Sequence, residues 1–462
     1  MKWAAALVAG VALGACPAKA VDPVASVHVV RDGERWTADY RFHRQAPVWV
    51  LAVSPLTRVK PRSFRPESWV VETPGVRLER HGWYDVLVAD KGAMPSRVRV
   101  SFRPFTEDIE TAADPALGFT DGSVALYSVQ WKVLPARSIE QVKAYPLDVA
   151  FVPESGAPTS VTLSDKNRPV LFDGKRVRAA KLTGDRETYV LFGPATPVET
   201  PALETILDPQ LPGWFKNYAL AQLPPILDRY TKLLGPKPDG KPTLMVSWNG
   251  PTKGRASFSG SVLPGQMVMT LEGEGVVSDN PKLRDMARWF VAHEGAHFWL
   301  GQQVIYSDVK ETWITEGGAD LLGYRTVAAL DPKFDVRAAQ QKSLDDCIAS
   351  SRKGPVATAI ERQDPKAYYN CGAVFGLVAE KAWGGDFAAF VRELIARNRA
   401  DRTVSRTEWL DLLDSRAPGK RLPQHIGFLL DNPVLNAQPW VALLEAGGIR
   451  FRLRTDGTPE LL

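Results

Sequence analysis

From about residue 21 to 195 the chain carries short apolar runs, among them TADYRF, VWVLAV, SWVVE, YDVLVA, SRVRVSF, LDVAFV, SVTL and TYVLFG, each broken by turn residues. Alternation at period two, rich in β-branched and aromatic residues, predicts an all-β domain. The Gly-Pro-Thr-rich stretch 193–201 predicts a linker. Beyond it a helix is expected around 212–235, then strands at PTLMVSW and GQMVMTLEG. The remainder reads as helical, with helices near 334–351, 367–383, 387–398, 406–413 and 424–430, before a last strand at IRFRLR.

One helical stretch stands apart. Ser278-Asp279-Asn280-Pro281 supplies cap residues and a first-turn proline, and after it Leu283, Met286, Phe290, His293, His297, Leu300 and Val304 form a stripe at three- and four-residue spacing. Read blandly, that stripe is a core face and its histidines are core residues. But two of the six histidines of the chain fall four apart on it and flank Glu294. Imidazoles at i and i+4 share one helical face and can share a tetrahedral metal. After His297 come eighteen residues and then Glu316, on a second helical segment. His293, His297 and Glu316 form a His₂Glu set for one zinc ion, with the fourth position left to water, as in catalytic sites. Zinc brings the pKa of such a water from 15.7 to roughly 7, and Glu294 is then the candidate general base. His28, His43 and His81 show no ligand spacing.

The motif His-Glu-x-x-His, eighteen residues, Glu, with WITEGGAD around Glu316, resembles the gluzincin metallopeptidases, and among them the aminopeptidase N-like family. The resemblance is firm over about 280–380. Tyr369-Asn370-Cys371-Gly372-Ala373 resembles that family's Tyr-x-x-Gly-Ala stretch, which implies that the Tyr369 hydroxyl stabilises the oxyanion. Asp320, one turn after Glu316, resembles the thermolysin-type aspartate that hydrogen-bonds the first histidine ligand. Where the family carries Gly-x-Met-Glu-Asn, whose Glu holds the substrate's amino group, this chain has Gly260-Ser261-Val262-Leu263-Pro264, and Leu263 stands in the Glu position. Glu272 and Glu274 are the nearest acids that could replace it.

The resemblance implies an α+β multidomain fold: a sandwich-like β domain at 21–195, a thermolysin-like (gluzincin) zinc domain at 202–400, and a helical C-terminal segment at 401–462. It implies that GQMVMTLEG is the edge of its sheet along the cleft, where an extended peptide can add through its main chain. It also implies peptide-bond hydrolysis of a peptide or protein substrate, aminopeptidase-like. A zinc endopeptidase of the same fold, and a non-catalytic binding protein, stay open as alternatives.

Composition narrows the setting. A formal charge of +5, with no basic run interleaved with aromatics, argues against a nucleic-acid partner. Residues 1–20 have one early lysine, an apolar run and a small-residue exit, and read as a signal peptide, so the protein is expected to be exported to the periplasm or the extracellular space. Ala18-Lys19-Ala20 fits cleavage before Val21, the favoured route, whereas Leu13-Gly14-Ala15-Cys16 would lipidate Cys16 and anchor the chain. No later apolar run approaches the ~18 residues of a transmembrane span. In an oxidising compartment the two remaining cysteines, Cys347 and Cys371, are expected to pair.

Overall fold

Alternating burial builds the first unit strand by strand. In Ala25–Asp32, for example, Ala25, Val27 and Val29 face inward while His28 faces solvent. This protein is seen in a computed structural model that describes residues 22–58, 60–107, 109, 113–201, 203–237 and 240–462, so the signal-peptide and Cys16 expectations lie outside the described residues. Its six-stranded sheet runs, in spatial order, Ala179–Thr183, Thr159–Asp165, Ala25–Asp32, Arg35–Phe42, Arg97–Phe102 and Trp69–Val71. A four-stranded and a five-stranded sheet complete the unit, around a core that includes Trp36, Trp49, Trp69 and Trp131. LDVAFV, expected as a strand, is instead a single 3₁₀ turn at Val149–Phe151 with Phe151 57% exposed. The Asp148 carboxylate accepts the Ala150 N–H at 2.9 Å, and this local bond replaces ladder pairing.

The second unit carries a five-stranded sheet in the order Val198–Glu199, Glu204–Leu207, Thr243–Trp248, Gln266–Glu272, Ser257–Leu263. Two expectations change here. The stretch 193–201 is not only a linker, because Val198–Glu199 pairs with Glu204–Leu207 and begins this sheet. Gln266–Glu272 is an interior strand, parallel to Thr243–Trp248 on one side and antiparallel to Ser257–Leu263 on the other. The edge is Ser257–Leu263, whose sequence SFSGSVL lacks the apolar alternation that marks a strand. Leu263 is 2% exposed and joins Leu117, Tyr189, Leu191, Ile206, Met245 and Val268 in a cluster shared by both units.

Helices Trp313–Leu330 and Pro365–Ala382 cross at two glycines. A Cβ on Gly317 would lie 2.2 Å from the Gly372 backbone, and one on Gly372 would lie 2.2 Å from the Trp313 carbonyl oxygen. Residues 401–462 contribute Trp409, Leu412, Leu413 and Trp440 to the same continuous core as the zinc-motif helices. That segment also contains a helix absent from the sequence reading, Gln438–Gly447, which begins without a side-chain cap. The architecture is mixed α+β, with a β-rich N-terminal part and a helical C-terminal part. No helix among the described residues is long and apolar enough to cross a membrane.

Cys347 and Cys371 are joined as a disulfide, tying helix Val336–Ser351 to Pro365–Ala382 over a separation of 24 residues. Closing a loop of that length is worth about 3.5 kcal/mol in the chain-entropy account. The Cys347→Ala/Cys371→Ala double variant is therefore expected to unfold at a clearly lower urea midpoint, and an unchanged midpoint would count against that account.

Candidate metal centre

Helix Pro281–Ala296 starts as its sequence indicates, with the Asn280 side chain accepting the Leu283 N–H at 3.0 Å and Pro281 in the first turn. Leu283, Ala287, Phe290 and Val291 bury one face and carry His293 inward to 3% exposure. The stripe does not continue as helix to Leu300 and Val304. His297 is the C-cap, still helical at φ −66° and ψ −15°, so its spacing from His293 survives. The chain then turns away through Gly301 at φ +135°, a conformation side chains disfavour. The turn brings the Leu300 carbonyl to 2.8 Å from His297 Nδ1.

Nδ1 of His293 lies 2.8 Å from an oxygen of Asp320, which is 3% exposed. Each imidazole thus donates its Nδ1–H outward, to Asp320 or to Leu300, and each is left with its Nε2 lone pair facing the other. Those two Nε2 atoms are 3.1 Å apart, and Glu316 Oε2 is 3.3 and 3.4 Å from them. That oxygen is buried and has no hydrogen-bond partner. Two converging lone pairs and an unsatisfied carboxylate oxygen repel one another unless a cation lies between them. Ligand atoms about 2.0–2.1 Å from a tetrahedral zinc ion stand roughly 3.3 Å apart. The residues therefore fit a zinc ion by donor type, by protonation and by spacing.

The carboxylates dominate the electrostatics of the site. Burial alone would depress the pKa values of His293 and His297, but Asp320 and Glu316 beside the first, and the charge of Glu316 beside the second, raise both, so these carboxylates draw positive charge into the space between the rings, which a bound cation would supply in place of protons. Burial raises the pKa of Glu316, yet the two histidines outweigh it and hold the group well below the usual carboxylate range. Burial pushes the Glu294 carboxyl up. That carboxylate is 6% exposed and has no hydrogen-bond partner among the described residues.

Two further elements close on the site. The edge strand passes over Glu294 at Gly260, where an added Cβ would lie 2.8 Å from Phe290 Cζ and 3.2 Å from Glu294 Cδ, so only glycine permits this approach. From the other side Tyr369, in the first turns of Pro365–Ala382, sets its ring 5.6 Å from that of His293. Its hydroxyl has no partner among the described residues, and burial holds its pKa well above the ordinary phenol value. Beside Tyr369 and Asp320 opens a cleft of about 500 Å³ walled by Met286, Trp289, Tyr324 and Phe334.

No family model and no curated protein matches the sequence. Solved structures do. An aminopeptidase N family protein from Idiomarina loihiensis superposes with a TM-score of 0.58 at 11% identity, over 94% of this chain and 81% of that one. Leukotriene A4 hydrolase from Saccharomyces cerevisiae gives 0.52 at 13% identity, over 90% and 68%. The likeness is one of fold. The neighbours in fold are an aminopeptidase N family protein and a leukotriene A4 hydrolase, and the site chemistry rests on this chain's own residues.

The structure brings His293, His297, Glu316, Glu294, Asp320 and Tyr369 into one neighbourhood. It does not bring Glu272 there as a free acid, because Arg255 holds both of its carboxylate oxygens at 2.7–2.8 Å. The Leu300 carbonyl is an addition that the sequence reading lacks, and so is the close approach of Gly260, which that reading named only within the stretch around Leu263. A backbone acceptor carries no sequence signal at all, and the glycine gains its meaning only once the edge strand is placed.

Proposed function

We propose that this chain is a zinc-dependent peptidase. The observation that carries the reading is the set of three ligand atoms spaced as the edges of a zinc tetrahedron, beside the uncommitted carboxylate of Glu294. A bound zinc ion supplies the Lewis acidity that polarises a scissile carbonyl and brings the pKa of a water to about 7.

The chain's own groups do the rest. Glu294 receives the proton of the attacking water and returns it to the leaving amine. The Tyr369 hydroxyl donates to the oxyanion as it forms. Asp320 and the Leu300 carbonyl fix the rings of His293 and His297, so that both present Nε2. The free edge of Ser257–Leu263 offers amide and carbonyl groups to the substrate main chain. The cleft walled by Met286, Trp289, Tyr324 and Phe334 suits an apolar substrate side chain next to the cut. Export, with cleavage before Val21 or lipidation at Cys16, belongs to the same reading, and an oxidising destination agrees with the Cys347–Cys371 bond.

Whether the cut falls near a free amino end is the finer question. The family likeness favours an aminopeptidase. The burial of Leu263 between the two units, and the pairing of Glu272 with Arg255, favour an endopeptidase, since neither position offers a carboxylate to an ammonium.

The test is metal dependence. Mature protein should hold one zinc per chain, lose peptide hydrolysis on treatment with a strong chelator, and regain it with zinc. Hydrolysis that persists with the metal stripped and verified absent would sink the reading.

A further inference from the structure

The Tyr369 hydroxyl has no bond of its own among the described residues, so it goes where its helix carries it. Its ring meets those of His293 and Tyr368 at 5.6 and 4.9 Å, and it also borders the open cleft of about 500 Å³. The helix start gives little local support. Asp364 precedes Pro365–Ala382, but its side chain caps no backbone N–H. It accepts the Ser350 hydroxyl instead, at 3.3 Å.

Helix Val336–Ser351 holds these first turns from behind, at points that bracket the tyrosine. The Ser350 bond falls on Asp364, five residues before Tyr369, and the Cys347 disulfide falls on Cys371, two residues after it. Lys366 also stands 3.6 Å from Asp346, but it is exposed and such a pair adds little. Ser350 and the two cysteines are buried to 1% exposure or less. At about 100° per residue, Cys371 points roughly 200° around the helix from Tyr369. The disulfide therefore lies behind the tyrosine and acts on it through the backbone. Immediately beyond it, Gly372 is fixed by its crossing with Trp313–Leu330. Between that crossing and Asp364, the turn that carries Tyr369 takes its place from helix Val336–Ser351. Placement of this kind matters to rate, because a misplacement of about 1 Å can cost about 10²-fold.

The geometry points to Cys347, Cys371 and Ser350 as positioning residues, which hold the turn that aims the Tyr369 hydroxyl at the oxyanion. This rests on the peptidase reading above and deepens it, because a bond between two scaffold helices becomes a determinant of kcat.

The test is a double-mutant cycle on zinc-loaded mature protein: wild type, Cys347→Ala/Cys371→Ala, Tyr369→Phe and the triple variant. Each is assayed on one peptide that wild type cuts, at a temperature where circular dichroism shows it folded. The paired cysteine change is expected to lower kcat by about 10-fold, with KM and zinc content nearly unchanged. Made in the Tyr369→Phe background it should cost no more than about twofold, since the donor that it places is already gone. A bond that only stabilises the fold leaves the kcat of folded protein unaltered, and one that supports the metal ligands multiplies its loss onto that of Tyr369→Phe. Either result overturns the proposal while the peptidase reading stands. If the paired cysteine variant does not fold, Ser350→Ala, which keeps the disulfide, runs the same cycle with an expected loss of about 3-fold, and the same two results overturn it. If wild type cuts no peptide, the peptidase reading fails, and hydrogen exchange then decides the positioning separately. The amides of residues 369–372 should exchange faster in the folded variant than in wild type, and equal exchange overturns the hold on that turn.

Discussion

Replacing Glu294 with Gln is expected to leave a folded, zinc-loaded protein whose kcat has fallen by about 10³-fold or more. The substitution is nearly isosteric and touches none of the three ligand atoms. It removes the one carboxylate beside them that has no hydrogen-bond partner among the described residues. General-base catalysis by a placed group contributes about 10²–10⁴-fold, and here one group both accepts and returns the proton. Metal analysis alongside single-turnover kinetics checks the prediction. A variant that binds zinc and still turns over near the wild-type rate would remove Glu294 from the base role.

Tyr369→Phe is expected to lower kcat by about 10²-fold with little change in KM. The ring of Tyr369 packs against those of His293 and Tyr368 at 5.6 and 4.9 Å, and phenylalanine keeps that packing. The hydroxyl forms no bond among the described residues, so its loss orphans no partner and stability should hold. A donor used only as charge develops on the oxyanion affects kcat and leaves substrate binding alone. Steady-state kinetics with the folded variant decide the matter, and an unchanged kcat would mark Tyr369 as a packing residue.

The parts of the site legible in the sequence are those set by local geometry. His293 and His297 converge because four residues make about one helical turn, and Asp320 follows Glu316 onto the same face for the same reason. The edge strand was illegible because SFSGSVL is built of small residues, chosen by how closely it approaches Phe290 and Glu294. Its neighbour GQMVMTLEG advertises a strand more loudly and is the interior one. LDVAFV failed as a strand because one aspartate offered its own backbone a bond. The β-rich first part and the helical remainder followed from periodicity, and their assembly into an α+β multidomain plan from the family resemblance. The contacts that join the two units did not, because nothing local encodes them.

The two-glycine crossing couples groups that a residue-by-residue account treats as separate. Glu316 is the residue before Gly317, and Tyr369 lies three residues before Gly372, so one backbone contact serves as the fulcrum for both. A single methyl group on either glycine has no room and must lever the helices apart, displacing a metal ligand and an oxyanion donor in the same movement. Gly317→Ala would then imitate a double lesion of the centre while every chemically reactive side chain stayed in place.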